Sequence, residues 1–148
     1  MLTEKISPRY VDLDSWSSGE MIAAMYESQI AAASAVRTAL DAIAAAVDAA
    51  VPALRRGGRI VYVGAGTSGR IGVQDGSELP PTFNWPADRV VFAMAGGLGA
   101  LVSSAEDAED HEANGTQAMA AARIGADDVV LGVAASGTTP YTIGALRA

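Results

Sequence analysis

The fold of this chain is decided by the stretch Gly64-Ala65-Gly66-Thr67-Ser68-Gly69-Arg70. It follows the apolar run Ile60-Val61-Tyr62-Val63 and precedes a helix-compatible segment that begins at Ile71. A strand that ends in a glycine-rich turn before a helix exposes backbone N–H groups at the positive end of the helix dipole, where anions bind. Thr67 and Ser68 add hydroxyl donors. The pattern therefore predicts a phosphate-binding turn, with a purely steric tight turn as the alternative.

The glycine spacing distinguishes this turn from two nucleotide-binding motifs. Gly64, Gly66 and Gly69 match the pattern G-x-G-x-x-G, but the next apolar run, residues 89–95, ends in Gly96-Gly97. A dinucleotide site needs an acidic residue there to hold a ribose. No Gly-Lys-Ser/Thr follows the turn, so it also departs from a P-loop. A sugar phosphate fits this turn better than a nucleotide does.

Composition limits the possible partners. The 148 residues are 50% hydrophobic, which is enough for one domain with a core. The net charge of −7, with no basic cluster beyond Arg55-Arg56, argues against nucleic acid or an anionic membrane surface as a partner. There is no cysteine and His111 is the single histidine, so we expect neither a disulfide nor a metal site. We expect no cofactor.

The N-terminal sequence also bears on localisation. Residues 1–5 lack the apolar core of a signal peptide. The alanine-rich stretch 31–54 is interrupted by Arg37, Asp41 and Asp48, which argues against a membrane span. We therefore expect a soluble, cytoplasmic protein.

Helix signals dominate the first third of the chain. Ser17-Ser18-Gly19-Glu20 is a capping signal for a helical region over residues 20–56. Pro52 lacks an N–H group and predicts a kink or a helix boundary near it. For the same reason, Pro80-Pro81 is expected to stop the helix that follows the glycine-rich turn.

Strands and helices alternate over residues 59–148. This order predicts parallel βαβ units, and thus a three-layer αβα fold with a parallel sheet. Ligand-binding turns gather at the carboxyl ends of such strands. Three strands make a narrow sheet, so we expect the domain to be incomplete at its C-terminus. The predicted strands after the first are 90–95 and 129–134, the helical segments are 98–107 and 112–124, and a second polar turn is Ser136-Gly137-Thr138-Thr139-Pro140.

Five segments carry a resemblance to a known family. They are the glycine-rich turn, Ser77-Glu78-Leu79-Pro80-Pro81-Thr82-Phe83, Ala95-Gly96-Gly97, Ala108-Glu109-Asp110 and Ala134-Ala135-Ser136-Gly137-Thr138-Thr139-Pro140-Tyr141. In order and spacing, from Thr3 onward, they resemble the first half of N-acetylmuramic acid 6-phosphate etherase. That family has the sugar isomerase (SIS) fold, which is Rossmann-like. The resemblance implies one sugar-phosphate domain over residues 1–148 and a homodimer.

The resemblance implies a lyase of cell-wall recycling. Such an enzyme removes the D-lactyl ether from N-acetylmuramic acid 6-phosphate by elimination and then addition of water, giving N-acetylglucosamine 6-phosphate and D-lactate. A base must take the proton next to the aldehyde, and an acid must protonate the departing alkoxide. Two carboxyl groups with separated pKa values can do both without a metal.

The family motifs assign these two roles. Glu78 is similar to the family's proton donor, and Glu109 matches its second catalytic glutamate, the base. From the residues alone, a solvated carboxylate is the more common role for Glu78, and more so for Glu109. Glu109 lies in the acidic run 106–110, and only the motif selects it.

The resemblance also implies a phosphate-binding set. Hydroxyls and helix N-termini together are sufficient to bind phosphate, although turn capping is the alternative role for serine and threonine. Thr138 stands where the family commonly has arginine, which removes a cation from the second turn. The substrate-binding residues are Gly66, Thr67, Ser68, Ser136, Gly137 and Thr139.

Two other functions are compatible with the same fold. One is a noncatalytic module that binds a sugar phosphate, which would keep the glycine-rich turn and not require the carboxylates. The other is an aldose–ketose isomerase, whose chemistry begins with the same proton abstraction but needs no acid at an ether oxygen. The presence of both Glu78 and Glu109 favours the lyase.

Overall fold

The computed structural model describes residues 6–148. Residues 1–5, which lack a signal-peptide core and include Thr3, where the resemblance begins, lie outside the described residues. The chain forms two compact units, Met1–Ala49 and Ala50–Ala148. The single domain over residues 1–148 stays a prediction.

The N-terminal unit begins with a capped helix. Helix α1, Ser18–Ala35, has a complete capping box: the Ser17 hydroxyl accepts the Glu20 N–H, and the Glu20 carboxylate accepts the Ser17 N–H at 2.9 Å. The Ser17 hydroxyl also donates to the Glu20 carboxylate at 2.6 Å. This bond first, and the Ser17 N–H second, hold the pKa of Glu20 below its ordinary value. The predicted start of the helical region is confirmed.

A short break separates α1 from the next helix. Residues Val36–Ala39 form a 3-10 turn, and helix α2 then runs over Leu40–Arg55. Pro52 lies inside α2, so the boundary expected near it falls one turn later, at Arg55. Pro52 removes one helical N–H. The helix still closes at its end, where N–H groups of the following turn bond the carbonyls of Ala53 and Leu54.

Large apolar side chains of α1 and α2 face solvent. Ile22, Met25, Tyr26 and Ile30 are all exposed, and within residues 6–49 only Ala24 is buried. By length and composition, Ser18–Arg55 is long and apolar enough to cross a membrane, contrary to the expectation from its charged residues. Helices of soluble proteins pass the same test, so this finding does not by itself assign the segment to a membrane.

The second unit is built on a parallel sheet. Its strands are β1, Ile60–Gly64, β2, Val90–Met94, and β3, Val129–Val133. They lie in the order β2-β1-β3, and both pairings are parallel. Gly64 pairs with Met94 and with Val133, so the carboxyl ends of the strands are level. The predicted parallel sheet is confirmed.

Helices cover both faces of this sheet. Helix α3, Gly66–Phe83, packs on one face, where Gly76 makes room for the rings of Tyr62 and Phe92. Helices α4, Glu112–Ala121, and α5, Pro140–Arg147, pack on the other. The predicted αβα layers are therefore present. The core beside α4 and α5 contains Val61, Val63, Ala65, Ala93, Ala95, Met119, Tyr141 and Ala145.

Two expected features of this unit are wrong. Helix α3 continues through Pro80 and Pro81, which lie in its last turn, and Asn84 in the left-handed region ends the helix instead. Residues 98–107 form a 3-10 turn, Leu98–Leu101, and then irregular turns. There the Ser103 hydroxyl bonds the Gly99 carbonyl, a local bond that competes with an α-helix.

Helices α4 and α5 touch through their backbones. A Cβ on Gly115 would collide with the Tyr141 carbonyl, and a Cβ on Gly144 would collide with the Glu112 carbonyl. The Thr116 hydroxyl donates to the Gly144 carbonyl at 3.1 Å. This contact fixes the start of α5 beside the start of α4.

A charged pair joins the amino ends of β1 and β3. The Asp128 carboxylate accepts the Arg59 N–H at 2.8 Å, the Arg59 guanidinium at 2.6 Å and the Gly125 N–H at 2.9 Å. The Asp128 side chain is 8% exposed. The hydrogen bonds from Arg59 hold the pKa of Asp128 well below its ordinary range, and they raise the pKa of Arg59.

Candidate functional site

A cavity of about 280 Å³ lies where β1 and β2 end. One wall is the beginning of α3, and the other is an acidic segment that precedes α4. The residues that line it are Ala65, Gly66, Thr67, Arg70, Ala95, Ala100, Ser104, Ala105, Glu106, Asp107, Ala108 and Glu109.

The first wall is an uncapped helix N-terminus. Ala65 precedes α3 in extended conformation, and no side chain caps the helix. Gly66 has φ of 52°, which glycine adopts without strain. A Cβ on Gly64 would lie 2.8 Å from the Gly69 Cα, so the absence of one lets α3 begin directly against the strand. The first N–H groups of α3 are therefore left for a ligand, and the dipole favours an anion.

The second wall is acidic. Glu106, Asp107 and Glu109 line the cavity, and among the described lining residues Arg70 is the single cation. Arg70 lies one turn after Gly66 and is half-buried. An anion in this cavity must therefore be held at the α3 wall, because three carboxylates repel it from the other side.

The structure brings together three of the predicted site residues. Gly66, Thr67 and Glu109 line the same cavity. Ser68 is half-buried and does not line it. Glu78 is exposed and lies twelve residues beyond Gly66 in α3, which is about 18 Å along the helix axis. Within one chain, Glu78 and Glu109 do not share this cavity.

The second polar turn is largely bonded to itself. The Ser136 hydroxyl accepts the Thr138 N–H at 3.1 Å and the Thr138 hydroxyl at 3.0 Å. Gly137 has φ of 69°, and Thr139 precedes α5 without a side-chain capping bond. None of the predicted residues Ser136, Gly137 and Thr139 lines the cavity at the α3 wall.

A backbone hydrogen bond nevertheless connects this turn to the acidic wall. The Tyr141 N–H donates to the Glu109 carbonyl at 3.0 Å. Tyr141 is 4% exposed, and burial raises the pKa of its hydroxyl. Because Tyr141 comes two residues after Thr139, the backbone of Glu109 lies beside the end of the second turn.

Arg70 lines the cavity, although it was not among the site residues predicted from the sequence. Its signal was present, because residues three and four apart share a helix face, and Arg70 follows Gly66 and Thr67 at those spacings. Asp75, further along α3, has a structural contact instead: it accepts the Tyr62 hydroxyl at 2.6 Å. Burial first, and this hydrogen bond second, raise the pKa of Tyr62.

Several known proteins are similar to this chain. N-acetylmuramic acid 6-phosphate etherase of Deinococcus radiodurans is 53% identical over 98% of the chain and 48% of its own length. The protein of that name from Salmonella agona is 48% identical over 99% of the chain and 50% of its own length. The one from Erwinia tasmaniensis is 47% identical over 99% and 48%. The chain spans about half the length of these curated relatives.

A family model covers the whole sequence of the second unit and part of the helical region. The model of the glucokinase regulatory protein N-terminal SIS domain matches residues 42–148. This range contains β1 to β3 and both walls of the cavity. The chain belongs to the SIS-domain family, and the resemblance expected from its sequence motifs is confirmed.

Proposed function

We propose that the chain belongs to a lyase that cleaves the D-lactyl ether of N-acetylmuramic acid 6-phosphate, in a cytoplasmic pathway of cell-wall recycling. One observation carries this proposal: a carboxylate, Glu109, lines the same cavity as the uncapped N-terminus of α3. The names of the relatives support the choice of substrate. No cofactor enters the proposed reaction.

In the proposed reaction, the phosphate of the open-chain sugar binds at the α3 wall. The Glu109 carboxylate takes the proton from the carbon next to the aldehyde, and the electron pair forms a double bond to the adjacent carbon. The ether bond at that adjacent carbon breaks, and the departing lactate oxygen receives a proton. Water then adds to the double bond and gives N-acetylglucosamine 6-phosphate.

The proton donor in this scheme is Glu78, which lies outside the cavity of its own chain. In one chain it lies about 18 Å along α3 from Gly66, too far for both carboxylates to act on neighbouring atoms. We therefore propose a homodimer in which Glu78 of a second copy completes the cavity. The exposure of Glu78 supports this arrangement, because an exposed side chain is free to face another molecule.

Mixing two inactive variants tests the shared site. Glu78→Gln and Glu109→Gln chains, unfolded together and refolded, form mixed dimers in which one of the two sites has both carboxylates. Random pairing should restore about a quarter of the native lactate release. If both carboxylates came from one chain, every site would lack one of them. No recovery from verified mixed dimers would contradict the two-copy site.

The reaction itself is tested by lactate release. The native chain is incubated with N-acetylmuramic acid 6-phosphate, and D-lactate is measured with a coupled dehydrogenase. Asp110→Asn is a matched control, because Asp110 lies in the same acidic run and does not line the cavity. Ligand binding without lactate release would contradict the lyase for this chain.

One observation favours a second candidate, a noncatalytic module that binds a sugar phosphate. The matching family model is that of a domain from a regulatory protein. This candidate predicts tight binding of N-acetylglucosamine 6-phosphate that does not change in Glu109→Gln, together with no release of lactate. Calorimetry on the native chain and on that variant distinguishes it from the lyase.

A further inference from the structure

Arg70 connects the two walls of the cavity. From the second turn of α3, its Nε donates to the carbonyls of Ala100 and Leu101, at 3.1 and 3.2 Å. Its Nη2 donates to the carbonyl of Ser103 at 3.4 Å. One planar guanidinium thus bonds three carbonyls of the chain that leads into the acidic wall.

The segment that Arg70 contacts has little regular structure of its own. Between Gly96 and Asp110 it contains one 3-10 turn, Leu98–Leu101, and its recorded internal hydrogen bonds join residues no more than four apart. Asp107 has φ of 59°, an uncommon conformation for a residue other than glycine. Such local bonds shape a loop, and two contacts tie it to other elements: the Tyr141 N–H holds its end at the Glu109 carbonyl, and the Arg70 guanidinium holds its first half to α3.

The charges in the cavity make this attachment important. Glu106, Asp107 and Glu109 lie on the wall that Arg70 approaches. Like charges repel one another and a bound phosphate, so the acidic wall tends to move away from α3 when an anion binds there. Hydrogen bonds to charged donors are about twice as strong as neutral ones, and they oppose this movement.

We propose that Arg70 is a positioning residue, which clamps the acidic wall to α3 so that Glu109 stays beside an anion bound at the helix N-terminus. It holds the backbone at Ala100, Leu101 and Ser103, and its effect on Glu109 is transmitted along the chain from Ser103 to Glu109. The effect on catalysis rests on the proposed function. The attachment of the acidic wall to α3 by Arg70, which we call the clamp, does not depend on it.

Two substitutions at position 70 distinguish the role of the planar, fork-shaped guanidinium from the role of its positive charge. Arg70→Lys keeps the charge but has no planar fork, and Arg70→Met loses both. Arg56→Lys is the matched control, because Arg56 is exposed and pairs with Asp127 elsewhere in the second unit. Exchange of the β1 amides reports whether each variant has kept its fold.

The first measurement is hydrogen exchange by mass spectrometry on the full chain without substrate. Both Arg70 variants should speed exchange over residues 97–110 by at least about tenfold and leave β1 unchanged. Equal exchange in native and Arg70→Lys chains would overturn the clamp. Because no turnover is involved, this result does not depend on the lyase being correct.

The second measurement is lactate release as a function of substrate concentration. A misplaced Glu109 should lower kcat by about 10- to 100-fold in both Arg70 variants. KM should change by less than about threefold, because the helix N-terminus that holds the phosphate is unaltered. A purely phosphate-binding arginine would instead raise KM in Arg70→Met and be rescued by lysine, which would overturn the positioning role. If the native chain released no lactate, that result would count against the proposed function. The hydrogen-exchange measurement would still show whether Arg70 holds the acidic wall to α3.

Discussion

The two polar turns of the sheet differ in what their donors contact, although both combine glycine with serine and threonine. After β1, no side chain caps α3, and exposed Thr67 lines a cavity. After β3, the Ser136 hydroxyl already accepts two hydrogen bonds from Thr138. The first turn therefore keeps donors for a ligand, whereas part of the second turn's hydrogen-bonding capacity is used within the turn.

This difference shows that composition alone does not identify a binding turn. A hydroxyl that is satisfied inside the protein contributes to local structure, and a ligand gains little by displacing that bond. An uncapped helix N-terminus beside a cavity offers donors at no such cost. We expect the first turn and its facing wall to dominate binding and chemistry.

The largest expected effect is on the chemistry at the first turn. Glu109→Gln should lower lactate release by at least about 100-fold, because an amide cannot accept the substrate proton. Glu78→Gln should cause a loss of similar size in the proposed two-copy site. Initial rates at saturating substrate measure both, and Asp110→Asn should stay near the native rate. Near-native turnover in either glutamine variant would reject that residue's role.

The next largest effect lies at the opposite end of the same strands. Asp128→Asn should lower the free energy of unfolding by about 2 kcal/mol, since it weakens hydrogen bonds to a charged partner. Asp127→Asn is the control and should cost less than about 1 kcal/mol, because the Asp127–Arg56 pair is exposed. Urea denaturation measures both. Loss of ligand affinity in a folded Asp128→Asn chain would show that the amino ends of the strands also affect binding at their carboxyl ends, contrary to this prediction.

The same carboxylate predicts a pH dependence of stability. Arg59 holds the folded pKa of Asp128 below the unfolded value, which is about 3.9. Its contribution is therefore fully present above the unfolded pKa and is lost as the pH falls through the folded pKa. The native chain should lose more stability than Asp128→Asn between pH 5 and pH 3, on the order of 1 kcal/mol. Urea denaturation of both proteins at pH 5 and pH 3 measures this. An equal loss of stability in the native chain and in Asp128→Asn would contradict the prediction.

The smallest effects compare the two turns directly. Thr67→Val should weaken binding of N-acetylglucosamine 6-phosphate by about tenfold, because one hydroxyl at an anion is lost. Ser136→Ala should weaken it by less than about threefold, because Ser136 does not line the cavity at the α3 wall. Calorimetry gives both dissociation constants. A larger loss of affinity in Ser136→Ala than in Thr67→Val would indicate that the second turn, rather than the first, binds the phosphate.

Much of the fold could be predicted from the sequence because its signals are local. Apolar runs that each contain at least two valines marked all three strands, and Ser17 with Glu20 marked the start of α1. The helix ends were harder, because prolines usually end a helix, whereas α3 includes Pro80 and Pro81 before Asn84 ends it. The loop after β2 has no strong pattern, and its serines favour local bonds over a helix.

The candidate site was predictable only where neighbours in sequence are also neighbours in space. Gly66 and Thr67 follow a strand directly, so their place at the cavity follows from the motif. Glu109 joins them through the pairing of β2 with β1, which a motif does not specify. Glu78 lies on the same helix as the turn, yet helix length carries it away from the cavity.

The contact between α4 and α5 restricts how this protein can change over evolutionary time. Any side chain at Gly115 or Gly144 must push the two backbones apart. That displacement would also pull the Tyr141 N–H from the Glu109 carbonyl, so a packing change would reach the acidic wall. Sequences that descend from this one can therefore vary on the exposed sides of both helices. A substitution at Gly115 or Gly144 would be tolerated only together with other changes that move the neighbouring helix away.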